Sequence, residues 1–101
     1  MKLNEVAQNA YNTALQRQKN GADVKIADIL KHCAGEVIEA QEAFIFWKYE
    51  AKSPAVYAEE LADIIICALI AAARDEIDIE AALEKKMQKN ATRAAMQGDK
   101  L

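Results

Sequence analysis

Helix-breaking residues are scarce in this chain, and their scarcity restricts the possible folds more than any other feature. The 101 residues include only three Gly and one Pro, and about one residue in five is alanine, the strongest helix former. A β-sandwich needs many turns and many β-branched or aromatic residues, whereas aromatics make up only 6% of this sequence. We therefore predict an all-α fold in one domain over residues 1–101.

Apolar residues recur at helical spacing in four segments. The predicted helices span residues 3–19, 23–49, 54–74 and 79–95. Gly21 suits a left-handed end of the first helix, while Asp23, Ser53 and Asp78 suit the starts of the other three. The polar tail, residues 96–101, is expected to be frayed.

The second and third helices carry most of the apolar surface. The predicted inward stripe of the second helix comprises Ile26, Ile29, Leu30, Cys33, Val37, Ala40 and Phe44. Residues 64–73 of the third helix are apolar in every direction around the axis, unlike a surface helix of a monomer, which has a polar face. We therefore expect a second copy of the chain to complete the core.

Charge and cysteine content exclude several classes of protein. The formal net charge of −3 lacks the basic excess of proteins that bind nucleic acid polymers. Cys33 and Cys67 lie in apolar helical runs without metal-binding spacing, so we expect free core thiols in a reducing compartment. The longest apolar run, at residues 64–73, is about half of a membrane span. We expect a cytoplasmic protein that does not enter a membrane.

Two pairs of acidic residues interrupt these apolar helices. Glu36 and Glu39 are three residues apart on the second helix, and Glu60 and Asp63 are three apart on the third. Because side chains at this spacing share one side of a helix, antiparallel packing brings four carboxylates together. Such a cluster is costly without a cation, and Mg²⁺ prefers oxygen ligands. The alternative is two solvated acid pairs on separate surfaces.

These pairs resemble a motif of the MazG-type all-α nucleoside triphosphate pyrophosphohydrolases. The family pattern is EExxE followed by ExxD; here residues 35–39 read GEVIE and residues 60–63 read ELAD. Gly35 replaces the first acid, which is similar to the dCTP-pyrophosphatase branch. Residues 86–93, KMQKNATR, resemble the basic K-x3-N-x2-R segment of the family. The resemblance extends over about residues 29–93.

The resemblance implies a four-helix bundle of the all-α NTP pyrophosphatase type, completed by oligomerisation, with a tetramer (a dimer of dimers) favoured over a dimer. It implies hydrolysis of (deoxy)nucleoside triphosphates to monophosphate and pyrophosphate, as house-cleaning of the nucleotide pool. Mg²⁺, or Mn²⁺ as a substitute, would be held by Glu36, Glu39, Glu60 and Asp63, and Glu39 is the candidate for activating water. The phosphates would meet Lys86, Lys89, Asn90 and Arg93. Alternatively, this basic set is a solvated face at a helix end, where the dipole favours cations.

Two further residues have divided interpretations. Trp47 lies at the end of the second helix, either stacking on a nucleobase or packing the bundle end. His32 precedes Glu36 by one turn. It either donates or accepts a hydrogen bond to the base or sugar of a nucleotide, or it finds its hydrogen-bond partners within the bundle. Two other functions stay open: a nucleotide-binding or regulatory oligomer without turnover, and a purely structural helical oligomer.

Overall fold

Helices account for most of the residues that the computed structural model describes, which are 2–21, 25–50 and 52–97. The helices are α1 (Leu3–Lys19), α2 (Ile29–Tyr49), α3 (Ala55–Arg74) and α4 (Ile79–Gln97), and a short 3₁₀ turn, Ile26–Asp28, precedes α2. No β-strand occurs in these described ranges. The predicted all-α class with four helices is confirmed.

The first connection departs from the sequence prediction. Gly21 adopts a φ of +78°, the left-handed conformation predicted for it, because glycine has no Cβ to clash there. However, α2 begins at Ile29 and not near residue 23. The chain is extended at Lys25 before it enters the 3₁₀ turn, so the regular helix is shorter than its apolar pattern suggested. Asp23, the predicted cap, lies outside the described residues.

Side chains close the starts of the last two helices. Ser53 Oγ accepts a hydrogen bond of 3.1 Å from the first backbone N–H of α3. Asp78 Oδ1 accepts one of 3.1 Å from the N–H of Ala81 in α4, as its predicted capping role requires. Helix α4 ends at Gln97, two residues beyond its predicted end, so the first two residues of the predicted tail are helical. Residues 98–101 lie outside the described part.

Helix α3 is the centre of the fold, because both α1 and α2 pack along it. Arg74, at the end of α3, donates a 2.7 Å hydrogen bond to the carbonyl of Ile26, just before α2, so α2 and α3 run antiparallel. The core between them and α1 includes Ile29, which is 0% exposed, and Ala14, Cys67 and Ile70.

Helix α4 lies apart from this core. It packs mainly against α1, where Asn4 Oδ1 accepts a 3.0 Å hydrogen bond from the N–H of Ile79. The Cα radius of gyration is 16.1 Å, against about 13 Å for a compact chain of this length. The difference follows from an α4 that extends away from the other three helices.

The inward face of α2 differs from the predicted stripe. Leu30, Val37 and Phe44 are 67%, 43% and 39% exposed, so their predicted place in the core of the protomer was wrong. Ala40, which belongs to the predicted stripe, is buried, and so is Ala43, which lies outside it, because close contact with α3 selects the face with the shortest side chains. Other large apolar side chains of α2 and α3 are also at least two-fifths exposed, namely Ile38, Ile45, Phe46, Val56, Leu61, Ile65 and Ile66. None of the described helices is both long and apolar enough to cross a lipid bilayer.

Candidate metal centre and its pockets

The predicted acidic residues meet in the seam between α2 and α3. Carboxylate oxygens of Glu36, Glu60 and Asp63 all lie within 4.8 Å of one another. The carboxyl group of Glu39 lies within hydrogen-bonding reach of both Glu36 and Glu60. The structure therefore brings all four predicted acids together, with three of them forming the tighter group.

Helix periodicity explains why Glu36 is in this seam. It follows Cys33 by three residues and precedes the buried Ala40 by four, so it continues the face of α2 that packs on α3. Its side chain is only 12% exposed. Glu60 is half-buried at the corresponding height of α3, while Glu39 and Asp63 are exposed at the edge of the seam.

Burial and mutual repulsion perturb two of these acids. Burial raises the pKa of Glu60 to about 7, and the nearby charge of Glu39 contributes next. Burial also raises the pKa of Glu36 above its ordinary value, followed by repulsion from Glu39 and Asp63. Both shifts have the sign expected for carboxylates crowded together without a counter-charge.

The donor set fits a hard divalent cation. Oε2 of Glu36 and Oε2 of Glu60 are both buried without a hydrogen-bond partner, and an unsatisfied buried oxygen is costly. A cation between α2 and α3 would be ligated by both atoms and would cancel the repulsion. Carboxylate oxygens are the ligands that Mg²⁺ and Mn²⁺ accept.

His32 lies next to this centre, one helical turn before Glu36. Its Nε2 is 3.0 Å from Oε1 of Glu36. The imidazole therefore holds one oxygen of Glu36 while Oε2 stays free, as an outer residue does when it orients a ligand. His32 is 43% exposed, so a ligand can also reach it.

Trp47 lies on the same face of α2 as Glu36 but eight residues beyond Glu39, which is about 12 Å along the helix axis. Its ring stacks on Tyr57 of α3, with centroids 5.7 Å apart. The ammonium of Lys48 is 3.9 Å from the centroid of the Trp47 ring. Trp47 thus packs between the end of α2 and the start of α3 in this protomer.

The predicted phosphate-binding residues are not brought to the acids within one protomer. Lys86, Lys89 and Arg93 are exposed on α4, and Asn90 is half-buried. Two pockets border Glu36, and neither is lined by a described residue of α4. If this basic set serves the metal centre, another copy of the chain must supply it.

Sequence reasoning identified the acids and His32 that line these two pockets, but it missed the residues contributed by α1 and the lysines near the start of α2. The larger one, about 580 Å³, lies between α1 and the α2–α3 pair and is walled on α1 by Asn9, Thr13 and Arg17. The smaller one, about 330 Å³, lies at the start of α2 and includes Lys25 and Lys31. The spacing of four residues between Asn9, Thr13 and Arg17 was the available signal for the first.

The core thiols form a neighbouring contact between α2 and α3. Cys33 and Cys67 are both free, as predicted, and Cys33 packs on the cluster that contains Cys67. Burial and the contact with Cys33 raise the pKa of the Cys67 thiol to about 12. Cys67 is therefore a protonated packing residue at neutral pH.

No protein-family model matches the chain, and neither the curated proteins nor the solved structures include a significant match.

Proposed function

We propose that the protein is a Mg²⁺-dependent nucleoside triphosphate pyrophosphohydrolase that removes (deoxy)nucleotides from the cytoplasmic pool. The observation that carries the proposal is the convergence of four carboxylates around two buried, unpartnered oxygens of Glu36 and Glu60. An apolar-floored groove that could accept a nucleoside borders the same site. A scaffold has no need for such a site.

In the proposed reaction, Glu36, Glu60 and Asp63 would hold Mg²⁺, with Mn²⁺ as a substitute, and Glu39 would complete the set. The cation would supply charge neutralisation at the phosphates and would lower the pKa of the attacking water. Water attacks the α-phosphorus, where a new P–O bond forms. The bond from the α-phosphorus to the oxygen bridging to the β-phosphorus breaks, and pyrophosphate leaves with the electron pair.

Glu39 is the candidate for accepting the proton of the attacking water. It is the exposed member of the Glu36–Glu39 pair on α2, so water can reach it, and it lies close to both Glu36 and Glu60. A general base needs this access together with proximity to the reacting group.

Self-association is part of the proposal. The exposed apolar side chains of α2 and α3 include Ile38, Ile45 and Ile65, each more than half exposed, and extensive exposed apolar surface is typical of an interface. A homo-oligomer, with a tetramer favoured over a dimer, would cover it and could bring Lys86, Lys89, Asn90 and Arg93 of α4 to a neighbouring metal centre. Sedimentation of a monomer at micromolar concentration would contradict this part.

The test is to incubate the protein with each dNTP and Mg²⁺ and to identify the products. Monophosphate plus pyrophosphate is expected, and Glu39→Gln should lower turnover about 100-fold or more if Glu39 is the base. Glu59→Gln is the matched control, because Glu59 is an exposed acid outside the cluster. Diphosphate plus orthophosphate as products would refute the proposal. Tight nucleotide binding without turnover would favour the regulatory alternative.

A further inference from the structure

The pocket at the start of α2 is lined by basic and acidic side chains beside the acidic centre. Its volume is about 330 Å³, and its lining includes Lys25 and Lys31 together with Asp28, Glu36 and Glu39. Both lysines are exposed, and neither forms an ion pair with another described residue. The ammonium groups of these two lysines therefore belong to the same pocket as two of the candidate metal ligands.

Gly35 keeps this pocket open. Lys31, Gly35 and Glu39 are spaced four residues apart on α2, so they form one stripe along the helix. A Cβ built on Gly35 would meet no heavy atom within 4 Å. Glycine in the middle of a helix costs about 0.5–1 kcal/mol relative to alanine. An acidic side chain at this position would lie in the same stripe, between Lys31 and Glu39.

The two pockets that border Glu36 differ in chemistry. The groove along α1 has an apolar floor that includes Ile66 and Ile70, which suits a base and sugar. The pocket at the start of α2 has Lys25 and Lys31 as well as Asp28, and it lies at the N-terminal end of a helix, whose dipole favours anions. A nucleotide that spans Glu36 would place its apolar part in the first and its charged tail in the second.

We propose that Lys25 and Lys31 bind the terminal phosphates of the substrate beside the metal centre, so that pyrophosphate occupies the pocket at the start of α2 within a single protomer. This inference rests on the proposed function for the identity of the ligand. It differs from that proposal in assigning the phosphate contacts to α2 and the preceding segment, and not to the basic residues of α4.

The test measures binding of inorganic pyrophosphate to the full chain in the presence of Mg²⁺ by isothermal titration calorimetry. Lys31→Ala and Lys25→Ala should each weaken binding about tenfold or more, the loss expected for one charge-assisted hydrogen bond. Lys31→Arg should retain most of the affinity. Lys85→Ala is the matched control, since Lys85 is an exposed lysine of α4 outside the basic set.

The outcomes separate this inference from the proposed function. Weaker pyrophosphate binding in both lysine variants supports the inference even if no dNTP is hydrolysed. Hydrolysis of dNTPs with unchanged pyrophosphate binding in both variants would overturn the inference and leave the proposed function standing. Loss of binding in Arg93→Ala but not in Lys31→Ala would also overturn it, as would the absence of pyrophosphate binding to the unaltered chain.

Discussion

Proton release on metal binding tests the acidic centre directly. The pKa of Glu60 is raised to about 7, so in the metal-free protein this carboxyl holds about 0.9 proton at pH 6 and about 0.1 at pH 8. A cation binds only the deprotonated form. We therefore expect Mg²⁺ binding to release about one proton from Glu60 at pH 6 and almost none from Glu60 at pH 8.

The same protonation equilibrium sets the metal affinity. Because the bound proton competes with Mg²⁺, the apparent affinity should be about tenfold weaker at pH 6 than at pH 8. Calorimetric titrations at each pH, in two buffers with different ionisation enthalpies, give both the affinity and the number of protons released.

Two variants identify the source of the protons. Glu60→Gln keeps the shape of the side chain but does not titrate, so it should weaken metal binding and remove most of the proton release. Glu59→Gln should leave both quantities unchanged. Equal affinities at pH 6 and pH 8 with no proton release would refute the assignment of Glu60 as a desolvated metal ligand.

Four further predictions concern stability and reactivity. The pKa of Glu60 is higher in the folded state than its ordinary 4.5, so the folded metal-free protein binds more protons than the unfolded chain. Its melting temperature should therefore fall as the pH rises from about 4.5 to 7. Scanning calorimetry checks this, and added Mg²⁺ should reverse the fall. Ile29→Ala should lower the free energy of unfolding by about 2–5 kcal/mol, because Ile29 is 0% exposed. Met96→Ala, at a site that is 76% exposed, should change this free energy by less than about 0.5 kcal/mol. Urea unfolding measures the change in each variant. Asn4→Ala removes the acceptor of the Ile79 N–H and should speed amide exchange in the first turn of α4, at a cost of about 1 kcal/mol; unchanged exchange there would show that α4 is held by other contacts. A thiol reagent at pH 8 should label Cys67 only after unfolding, because its pKa is raised to about 12; rapid labelling of the native protein would contradict that burial.

The acidic centre was predictable because its geometry is local. Two acids three residues apart share a helix side in any α-helix, and apolar neighbours place that side towards a partner helix. The pairing of Glu36 with Glu60 and Asp63 then followed from one assumption, that the second and third helices are antiparallel neighbours. The caps at Ser53 and Asp78 were predictable for the same reason, since each depends on a few consecutive residues.

Tertiary packing decided which face of α2 is buried. The predicted stripe included Ala40 together with the larger Leu30, Val37 and Phe44, because it was chosen from hydrophobicity and helical spacing alone. The closest approach of α2 to α3 instead favours the small residues, and the larger ones remain exposed in the protomer.

The amino-acid sequence by itself determined the helical class, the helix ends marked by Gly21, Ser53 and Asp78, and the acids that come together. These features depend on backbone propensity and on periodicity, which act over one or two turns. Only the tertiary structure decided that α4 lies away from the acidic seam and that Lys25, in the segment before α2, lies beside it. Such placement depends on the path of the connecting segments and on which helices pack together, and no local pattern specifies either.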